Sequence, residues 1–305
     1  MSSRISVIML TYNRQNLVGN AIESILGQTF KDFEYIIVDN GSEDCSGDIA
    51  EKYAQTDFRI RVIHIPKSSI SMGRNAGLAA AKGDYVTFID DDDTAEPKML
   101  EFLYEAAECN RADISICGTN LKSMETVLVF NTTEAMISLL ERKYYNVGFP
   151  AKLIKRDLFR NHQFPDKGKF DDIYLMPKII AEAKKIVYAG NPYYIVNRHE
   201  NNNSAWTTNH SLLTREILKE YLDVYEDRTK WLIEKYPEKE NEWKYFEWSF
   251  MISMVEKIHR FQVKECEELL KNMVAKLQSC GEEFLQSKRI LDFEKEWMYQ
   301  YVYIR

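Results

Sequence analysis

Short apolar runs alternate with stretches of helical periodicity over the first 117 residues, and this alternation constrains the fold more than any other feature. The apolar runs span 5–10, 35–38, 60–65, 85–89 and 113–117, and helical spacing recurs over 16–26, 45–54, 72–81 and 97–109. Near-continuous apolar runs bounded by turn residues are typical of strands buried on both faces. Strands that alternate with helices form a mainly parallel sheet with helices on both faces. The sequence therefore predicts an α/β domain.

The apolar run 85–89 is followed directly by four aspartates, Asp90, Asp91, Asp92 and Asp93. Like charges about 4 Å apart repel by roughly 4 kcal/mol at an effective dielectric near 20, so a fold that holds them together usually supplies a cation. Carboxylates are hard ligands that suit Mg²⁺, Mn²⁺ or Ca²⁺. In open α/β sheets, ligands bind at the carboxyl ends of the strands. The alternative is a solvated acidic turn before the helix that begins near Pro97.

Composition excludes some classes of protein. A net charge of −7 argues against a nucleic-acid binder with a broad basic surface, although a nucleotide needs only a local pocket. The five cysteines are widely spaced, form no CxxC pair, and predict a reduced chain with small buried thiols. A strand that begins near Ile5 leaves no room for a signal peptide, and no apolar stretch approaches 18 residues. We expect a cytoplasmic protein, with peripheral membrane contact left open.

The chain changes character after Ser204. Residues 131–203 are irregular, with helices predicted over 133–141 and 173–181, whereas the remainder is helical in period and holds all five tryptophans. Helices are predicted over 212–235, 242–261, 266–278 and 282–301. We therefore predict one domain over 1–204 and a helical subdomain over 205–305. Packing as a core is the simplest role for the aromatics of the subdomain, and ligand binding or homodimerisation are the alternatives, since interfaces are rich in Trp, Tyr and Met.

Five segments together resemble a known family. They are Val7–Asn13 (VIMLTYN), Gln28–Phe30 with Phe33–Glu34, Val38–Ser42 (VDNGS), Gly73–Leu78 (GRNAGL), and Gly83–Asp93. In this order and spacing the chain resembles family 2 glycosyltransferases, which have the Rossmann-like GT-A fold that binds nucleotide sugars. The resemblance covers roughly residues 5–100 and extends weakly to about 204. Any single segment is weak support, whereas five in order are strong, so they favour a ligand-binding role for the aspartates.

The resemblance implies roles for the acidic segment. Asp90-Asp91-Asp92 corresponds to the DXD motif of the family, with Asp92 as the direct ligand of Mn²⁺ or Mg²⁺. Asp91 would contact the ribose or the metal, and Asp90 would brace the loop. Asp93 would support these groups or face the donor sugar.

Other segments correspond to the nucleotide-binding positions of the family. Thr11, Tyr12 and Asn13 follow the first strand, and Tyr12 offers a flat face for a base. Asp39 can accept a hydrogen bond from ribose or base. The family more commonly has a second aspartate at the position of Asn40. Because an amide both donates and accepts hydrogen bonds, Asn40 makes the identity of the base less certain, and uracil is the favoured base.

Two residues at the start of a predicted helix complete the nucleotide-binding set, Arg74 and Asn75. Arg74 lies where it can contact phosphate or the base edge, with a surface salt bridge as the alternative.

An inverting transfer needs a general base for the acceptor hydroxyl. The family carries an acidic pair before a late helix, and Asp171-Asp172 fits that position, although Glu-Asp is commoner. Asp172 is assigned as the base with Asp171 next, and a role in capping the helix is the alternative. By resemblance, His199 and the asparagines after it form a closing loop, and His199 would meet the metal or the diphosphate.

The sequence thus predicts a metal-dependent inverting glycosyltransferase. It would move a sugar, most simply from a UDP-sugar, to a glycan, a lipid-linked sugar or a glycoprotein. A sugar nucleotidyltransferase is an alternative that the glycine-free 11–15 segment disfavours. A catalytically silent binding protein is the other. The remaining histidines, His64, His162, His210 and His259, receive no role from the sequence.

Overall fold

The computed structural model describes residues 3–166, 168–199 and 209–303. Contacts divide the chain into two compact units, Met1–Asn197 and Arg198–Arg305. The boundary predicted near Ser204 lies outside the described residues. No helix among the described residues is long and apolar enough to cross a membrane.

The first unit is built on one sheet of nine strands. They are β1 (Ile5–Thr11), β2 (Phe33–Asp39), β3 (Ile60–His64), β4 (Tyr85–Asp90), β5 (Thr94–Ala95), β6 (Ile114–Thr119), β7 (Met124–Phe130), β8 (Lys152–Lys155) and β9 (Ile186–Ile195). Their order is β3-β2-β1-β4-β8-β6-β9-β5, with β7 paired to β9. The predicted α/β class is confirmed.

One half of the sheet is parallel, as predicted, and the other half is mixed. Strands β3, β2, β1 and β4 are parallel neighbours, whereas β8 runs antiparallel to β4 and β6. In register, Thr11 is the partner of Asp39, and Leu10 is the partner of Asp90. The carboxyl ends of the parallel strands therefore meet at one edge, where the predicted polar segments follow them.

The sequence patterns missed strands β5, β7, β8 and β9. Strands β5 and β8 have only two and four residues, too short for a periodicity. In β9, Gly190 and Pro192 interrupt the apolar pattern, and the register with β6 shifts there. Strand β7 pairs only along β9, and Val127 and Val129 are 63% and 50% exposed, so its pattern lacks a buried face.

Helices α1–α6 of the first unit lie within about two residues of the predicted bounds. They are α1 (Val18–Leu26), α2 (Ser46–Thr56), α3 (Ile70–Ala80), α4 (Met99–Asn110), α5 (Thr132–Glu141) and α6 (Asp171–Glu182).

Glycines set how closely α3 approaches the sheet. A Cβ built on Gly77 would lie 2.5 Å from Cγ2 of Ile8, and one on Gly73 would lie 2.2 Å from Cδ1 of Leu10.

Gly77→Ala is therefore expected to lower the free energy of unfolding by about 1–3 kcal/mol, because the added methyl overpacks the contact with Ile8. Gly19 in α1 is the matched control, since a Cβ there would meet nothing nearer than the Tyr53 hydroxyl at 3.8 Å. Gly19→Ala should be neutral or stabilise by up to about 1 kcal/mol. Urea denaturation measures both variants, and equal effects would contradict the packing argument.

The second unit is helical. Its helices are α7 (Arg215–Lys235), α8 (Glu240–Phe261), α9 (Glu267–Leu285) and α10 (Asp292–Trp297), followed by a π-helical turn (Met298–Val302). Trp243 is 1% exposed, and the rings of Tyr225 and Phe250 stack with centroids 3.8 Å apart. The Tyr301 ring stacks on His259 with centroids 4.9 Å apart, so part of the aromatic C-terminal segment packs on its own unit.

The single helix predicted over 282–301 is wrong. Residues up to Leu285 belong to α9, and α10 begins at Asp292. The break depends on Glu294, which is 1% exposed and accepts hydrogen bonds from the backbone N–H of Leu291 and the hydroxyls of Tyr245 and Ser249. These α8 hydroxyls lie more than 40 residues away in sequence, so helical periodicity alone could not reveal the break.

The five cysteines are free thiols. Cys117 and Cys266 are buried, as expected, but Cys45 and Cys109 are exposed, so the prediction of uniformly buried thiols is wrong. Cys45 and Cys109 lie at or near helix ends that face solvent, which spacing along the chain does not reveal.

Candidate active site

The four aspartates lie at the carboxyl end of β4, and Asp90 is the last residue of the strand. Burial and, to a smaller extent, the charge of Asp92 raise the pKa of Asp90 to about 6 and the pKa values of Asp91 and Asp93 to about 7. The raised carboxyl pKa values mean that burial disfavours the negative charges at this edge of the sheet. A cation would therefore be bound favourably here.

Asp91 connects the end of β4 to the end of β1. Its Oδ2 accepts a hydrogen bond from the backbone N–H of Tyr12 at 3.2 Å, and its Oδ1 lies 3.7 Å from Nε of Arg14. Thr11, which is fully buried, places its hydroxyl beside the same carboxyl group. The predicted β1 and β4 segments therefore meet in space.

Asp93 connects the same edge to β9. It is 5% exposed, and its oxygens accept from the Tyr194 hydroxyl and from the backbone N–H of Asn197, each at 2.8 Å. Tyr194 was missed, because nothing in the pattern of β9 relates it to an aspartate 101 residues earlier. Both carboxylate oxygens of Asp93 are thus engaged in supporting the loop.

Arg74 joins the two acidic segments. Its Nη1 lies 2.9 Å from both carboxylate oxygens of Asp171, and its Nη2 lies 3.8 Å from Oδ1 of Asp90. The guanidinium also lies 5.5 Å from the ring centre of Phe164. Side-chain exposures of 17% for Arg74 and 6% for Asp171 make this a buried ion pair. The start of α6 is thereby held close to the end of β4.

Asn75 supports that arrangement from the next position of α3. Its amide Nδ2 donates to the Phe164 carbonyl at 2.9 Å, and its Oδ1 accepts from the Phe164 N–H at 3.0 Å. Both polar ends of the side chain therefore fix the segment that leads to α6.

On the β2 side, Asp39 is 6% exposed and has a partner for each oxygen. Its Oδ1 accepts from the Ser42 N–H at 3.0 Å, and its Oδ2 lies 2.9 Å from Nδ1 of His64. Because a carboxylate oxygen has two lone pairs, each oxygen can still accept from a ligand. His64 received no role from the sequence; its position at the end of β3, next to β2, is the signal that could have identified it.

Asn40 is fully engaged by the segment after β3. Its Oδ1 accepts from the N–H and the hydroxyl of Ser68 at 3.0 and 2.7 Å, and its Nδ2 donates to the Ser68 carbonyl at 2.9 Å. The neighbouring Gly41 has φ +75°, and a Cβ there would lie 2.6 Å from the backbone nitrogen of Lys67. The loops after β2 and β3 are thus held closely together.

Tyr12 and Asn13 form the adjoining wall. The Lys67 ammonium lies 4.7 Å from the ring centre of Tyr12. Asn13 has φ +53°, a conformation that asparagine tolerates, and its Oδ1 accepts from the Glu43 N–H at 2.9 Å. Thr11 is the register partner of Asp39, and the backbone N–H of Asn13 donates to the Ser42 hydroxyl at 3.1 Å. The loops after β1 and β2 are therefore in contact.

Asp172 lies in the first turn of α6, where its Oδ1 accepts from the Ile173 N–H at 2.8 Å. Burial raises its pKa, and the adjacent Asp171 charge raises it further. Lys152 of β8 is 2% exposed, and its ammonium donates to the Gly148 carbonyl. Burial lowers the Lys152 pKa to about 8, while the Asp172 charge opposes that shift. Lys152 is absent from the predicted site because β8 was not predicted.

His199 belongs to the second unit. The asparagines of the predicted closing loop and Ser204 lie outside the described residues. The role assigned to His199 therefore stays a prediction.

The end of β4 is the candidate position for a metal ion. Among the described residues, no three acidic, histidine or cysteine side chains are arranged to hold one by themselves. Protein sites for Mg²⁺ commonly use one or two carboxylates and complete the shell with substrate phosphates and water. The carboxyl groups at the end of β4, with pKa values raised by burial, fit that kind of site.

Comparison with known proteins agrees with this geometry. The model of the family described as Glycosyl transferase family 2 matches residues 6–167. Glycosyltransferase GlyG of Streptococcus pneumoniae is 32% identical over 216 residues, which are 65% of this chain and 72% of that protein.

Solved structures show the same fold. S. aureus TarS 1–349 in complex with UDP-GlcNAc superimposes with a TM-score of 0.69 at 18% identity, covering 98% of this chain and 92% of that one. The mannosyltransferase PcManGT of Pyrobaculum calidifontis, in complex with GDP-Man and Mn²⁺, gives 0.62 at 15% identity, covering 99% and 85%.

The mixed sheet, with its polar strand ends and the helical region that follows, has the GT-A fold. The chain belongs to glycosyl transferase family 2, and the protein is a glycosyltransferase.

Proposed function

We propose that the protein is a metal-dependent, inverting glycosyltransferase that uses a nucleoside diphosphate sugar, with a UDP-sugar as the favoured donor. The acceptor is a hydroxyl of a glycan, a lipid-linked sugar or a glycoprotein in bacterial surface or protein glycosylation. The reaction takes place in the cytoplasm or at the inner face of the membrane.

One observation carries the proposal: Arg74 contacts both Asp171 of α6 and Asp90 of β4. The candidate base segment and the candidate metal segment, about 80 residues apart in the chain, are thereby held at one site. The ends of β1 and β2 complete that site with Thr11 and Asp39. A purely structural acidic turn would not require a buried arginine between two such segments.

In this scheme the nucleoside lies against Thr11, Tyr12, Asn13 and Asp39. Asn40 shapes the wall through Ser68, and Asp39 can accept from a base N–H. Uracil is the base that the family resemblance favours. The UDP-GlcNAc complex of TarS supports the same donor class. The GDP-Man complex of PcManGT makes GDP the alternative that a binding test must include.

The acidic segment would hold the metal and the diphosphate. Asp92 is the proposed direct ligand and Asp91 the second, with Asp90 and Asp93 supporting the loop. A bound divalent cation would stabilise the negative charge on the departing diphosphate. Arg74 and Asn75 complete the proposed donor-binding set of the first unit, and the role assigned to His199 stays a prediction.

Asp172 is the proposed base. As the acceptor oxygen bonds to the anomeric carbon from the face opposite the diphosphate, the carbon–oxygen bond to the diphosphate breaks and its electron pair leaves with the nucleotide. The hydroxyl proton passes to the Asp172 carboxylate. Asp171, paired with Arg74, keeps α6 in place. The helical unit, residues 205–305 in the predicted division, is proposed to bind the acceptor or a second copy of the chain.

Asp92→Ala is expected to abolish metal-dependent donor binding while the protein stays folded. Thermal-shift measurements with UDP, GDP, CDP and dTDP, each with and without Mn²⁺, test this. A ligand at about one hundred times its dissociation constant adds roughly 2.7 kcal/mol of stability to the wild type. Asp84→Ala is the matched control, because Asp84 precedes the opposite end of β4 and is 54% exposed. Unchanged UDP affinity of Asp92→Ala with Mn²⁺ would refute the metal assignment.

A further inference from the structure

His64 lies between two carboxylates at the edge of the proposed nucleoside pocket. It ends β3, where it is the register partner of Asp39 in β2. Its Nδ1 lies 2.9 Å from Oδ2 of Asp39, and its Nε2 lies 3.0 Å from Oε1 of Glu51 in α2. The imidazole thus links α2 to Asp39.

The two contacts determine the protonation state of the ring. A carboxylate only accepts hydrogen bonds, so each ring nitrogen of His64 needs a hydrogen to satisfy its partner. A neutral imidazole carries one N–H and would satisfy only one of them. The hydrogen bonds to Asp39 and then to Glu51 raise the His64 pKa accordingly, against a smaller opposing effect of burial. The geometry therefore calls for the imidazolium.

The surroundings leave Asp39 little freedom. Ser42 holds its other oxygen, and a Cβ on Gly47 would lie 2.7 Å from Oδ2 of Asp39 and 3.3 Å from Cε1 of His64. Asp39 from β2 and Glu51 from α2 are the charged groups that act on His64. Glu51 is 46% exposed and can turn into solvent when the ring loses its proton, whereas Asp39 cannot.

We propose that His64 is a positioning residue for the donor nucleotide: its imidazolium holds the Asp39 carboxylate in the orientation that accepts from the nucleoside, and thereby makes nucleotide affinity depend on pH. This inference rests on the proposed function, because it takes Asp39 as part of the nucleoside pocket. The positive charge is present at low pH, so affinity should fall as pH rises through the His64 titration.

The test is calorimetric titration of UDP with Mg²⁺ between pH 6 and 8.5. The wild type is compared with His64→Phe and with the control His162→Phe, since His162 also lies beside a carboxylate, Glu182 at 3.3 Å, which belongs to α6 and not to β2 or α2. Couplings between sites typically change affinity 5- to 150-fold, and we expect a loss on the order of tenfold for His64→Phe at pH 6. That loss should shrink towards pH 8.5, while His162→Phe follows the wild type throughout. The titration of UDP itself affects the wild type and the variants equally, so the ratio of their affinities at each pH removes it.

Glu51→Gln gives an independent readout if His64→Phe folds poorly. It should move the His64 midpoint, followed by NMR among the five histidine signals, to lower pH. The pH at which UDP affinity falls should move with it. By linkage, UDP binding should also raise the His64 midpoint in the wild type.

Two failures are distinguishable. Failure of the wild type to bind UDP at any pH overturns the proposed donor together with this inference. Binding with the same affinity ratio of variant to wild type at every pH, or a His64 midpoint that UDP leaves unmoved, overturns the inference alone.

Discussion

Asp172→Asn is expected to reduce the rate of sugar transfer by roughly 10²–10⁴-fold, the usual contribution of a positioned general base. The amide keeps the shape of the side chain and cannot take the acceptor proton. Nucleotide binding should persist, since Asp172 is not among the groups assigned to the donor. The measurement is turnover at saturating UDP-sugar together with UDP affinity by calorimetry.

The pH dependence of the wild type provides a second check on this base. Burial raises the Asp172 pKa above the ordinary aspartate value near 3.9. The ionised, active fraction therefore grows as pH rises, and the rate should climb through that raised pKa and then level off. Asp157→Asn, a change at a side chain that is 75% exposed, is the control and should behave as the wild type. Full turnover by Asp172→Asn would move the base to Asp171 or elsewhere.

Arg74→Met should lower the free energy of unfolding by about 3–5 kcal/mol, because it leaves the Asp171 carboxylate buried without its partner. Urea denaturation at pH 7 measures the loss. Arg160→Met is the matched control, because the Arg160–Asp157 pair is 73% and 75% exposed. Exposed pairs contribute little, so that change should stay within about 0.5 kcal/mol.

A double variant separates the charge effect from lost packing. Arg74→Met combined with Asp171→Asn removes both charges, so no buried carboxylate is left without a counter-charge. We therefore expect much of the lost stability to return. A double variant as unstable as the single one would show that the contacts of Arg74 with Phe164 and Asp90, rather than the pair with Asp171, supply the stability.

The secondary structure of the first unit could be predicted where the pattern of one short segment is enough to identify a strand or a helix. Strands β1–β4 and helices α1–α6 follow from apolar runs and helical spacing, because each pattern reflects the burial of that segment alone. The aspartates after β4 and the segments after β1 and β2 were placed at one edge because the carboxyl ends of parallel strands meet there. Family membership followed from the same segments.

Strands β5, β7, β8 and β9 and the break before α10 were not predicted from the sequence. Strand β8 has only four residues, too few to show an alternation of apolar and polar side chains, yet it positions the buried Lys152. The break depends on Glu294 meeting hydroxyls of α8. In both cases the stabilising contact comes from another element, so the local pattern carries no trace of it.

By itself the sequence determined the order of strands and helices, the acidic segment after β4, and the family, since these depend on residues adjacent in the chain. Only the tertiary structure decided the partners of the site residues. Arg74 meets Asp171 across 97 residues, and His64 meets Asp39 across 25. Such pairs depend on strand order and register. The periodicity of side chains, 2 residues in a strand and 3.6 in a helix, shows which face of an element a residue occupies, but it does not show which other element packs against that face.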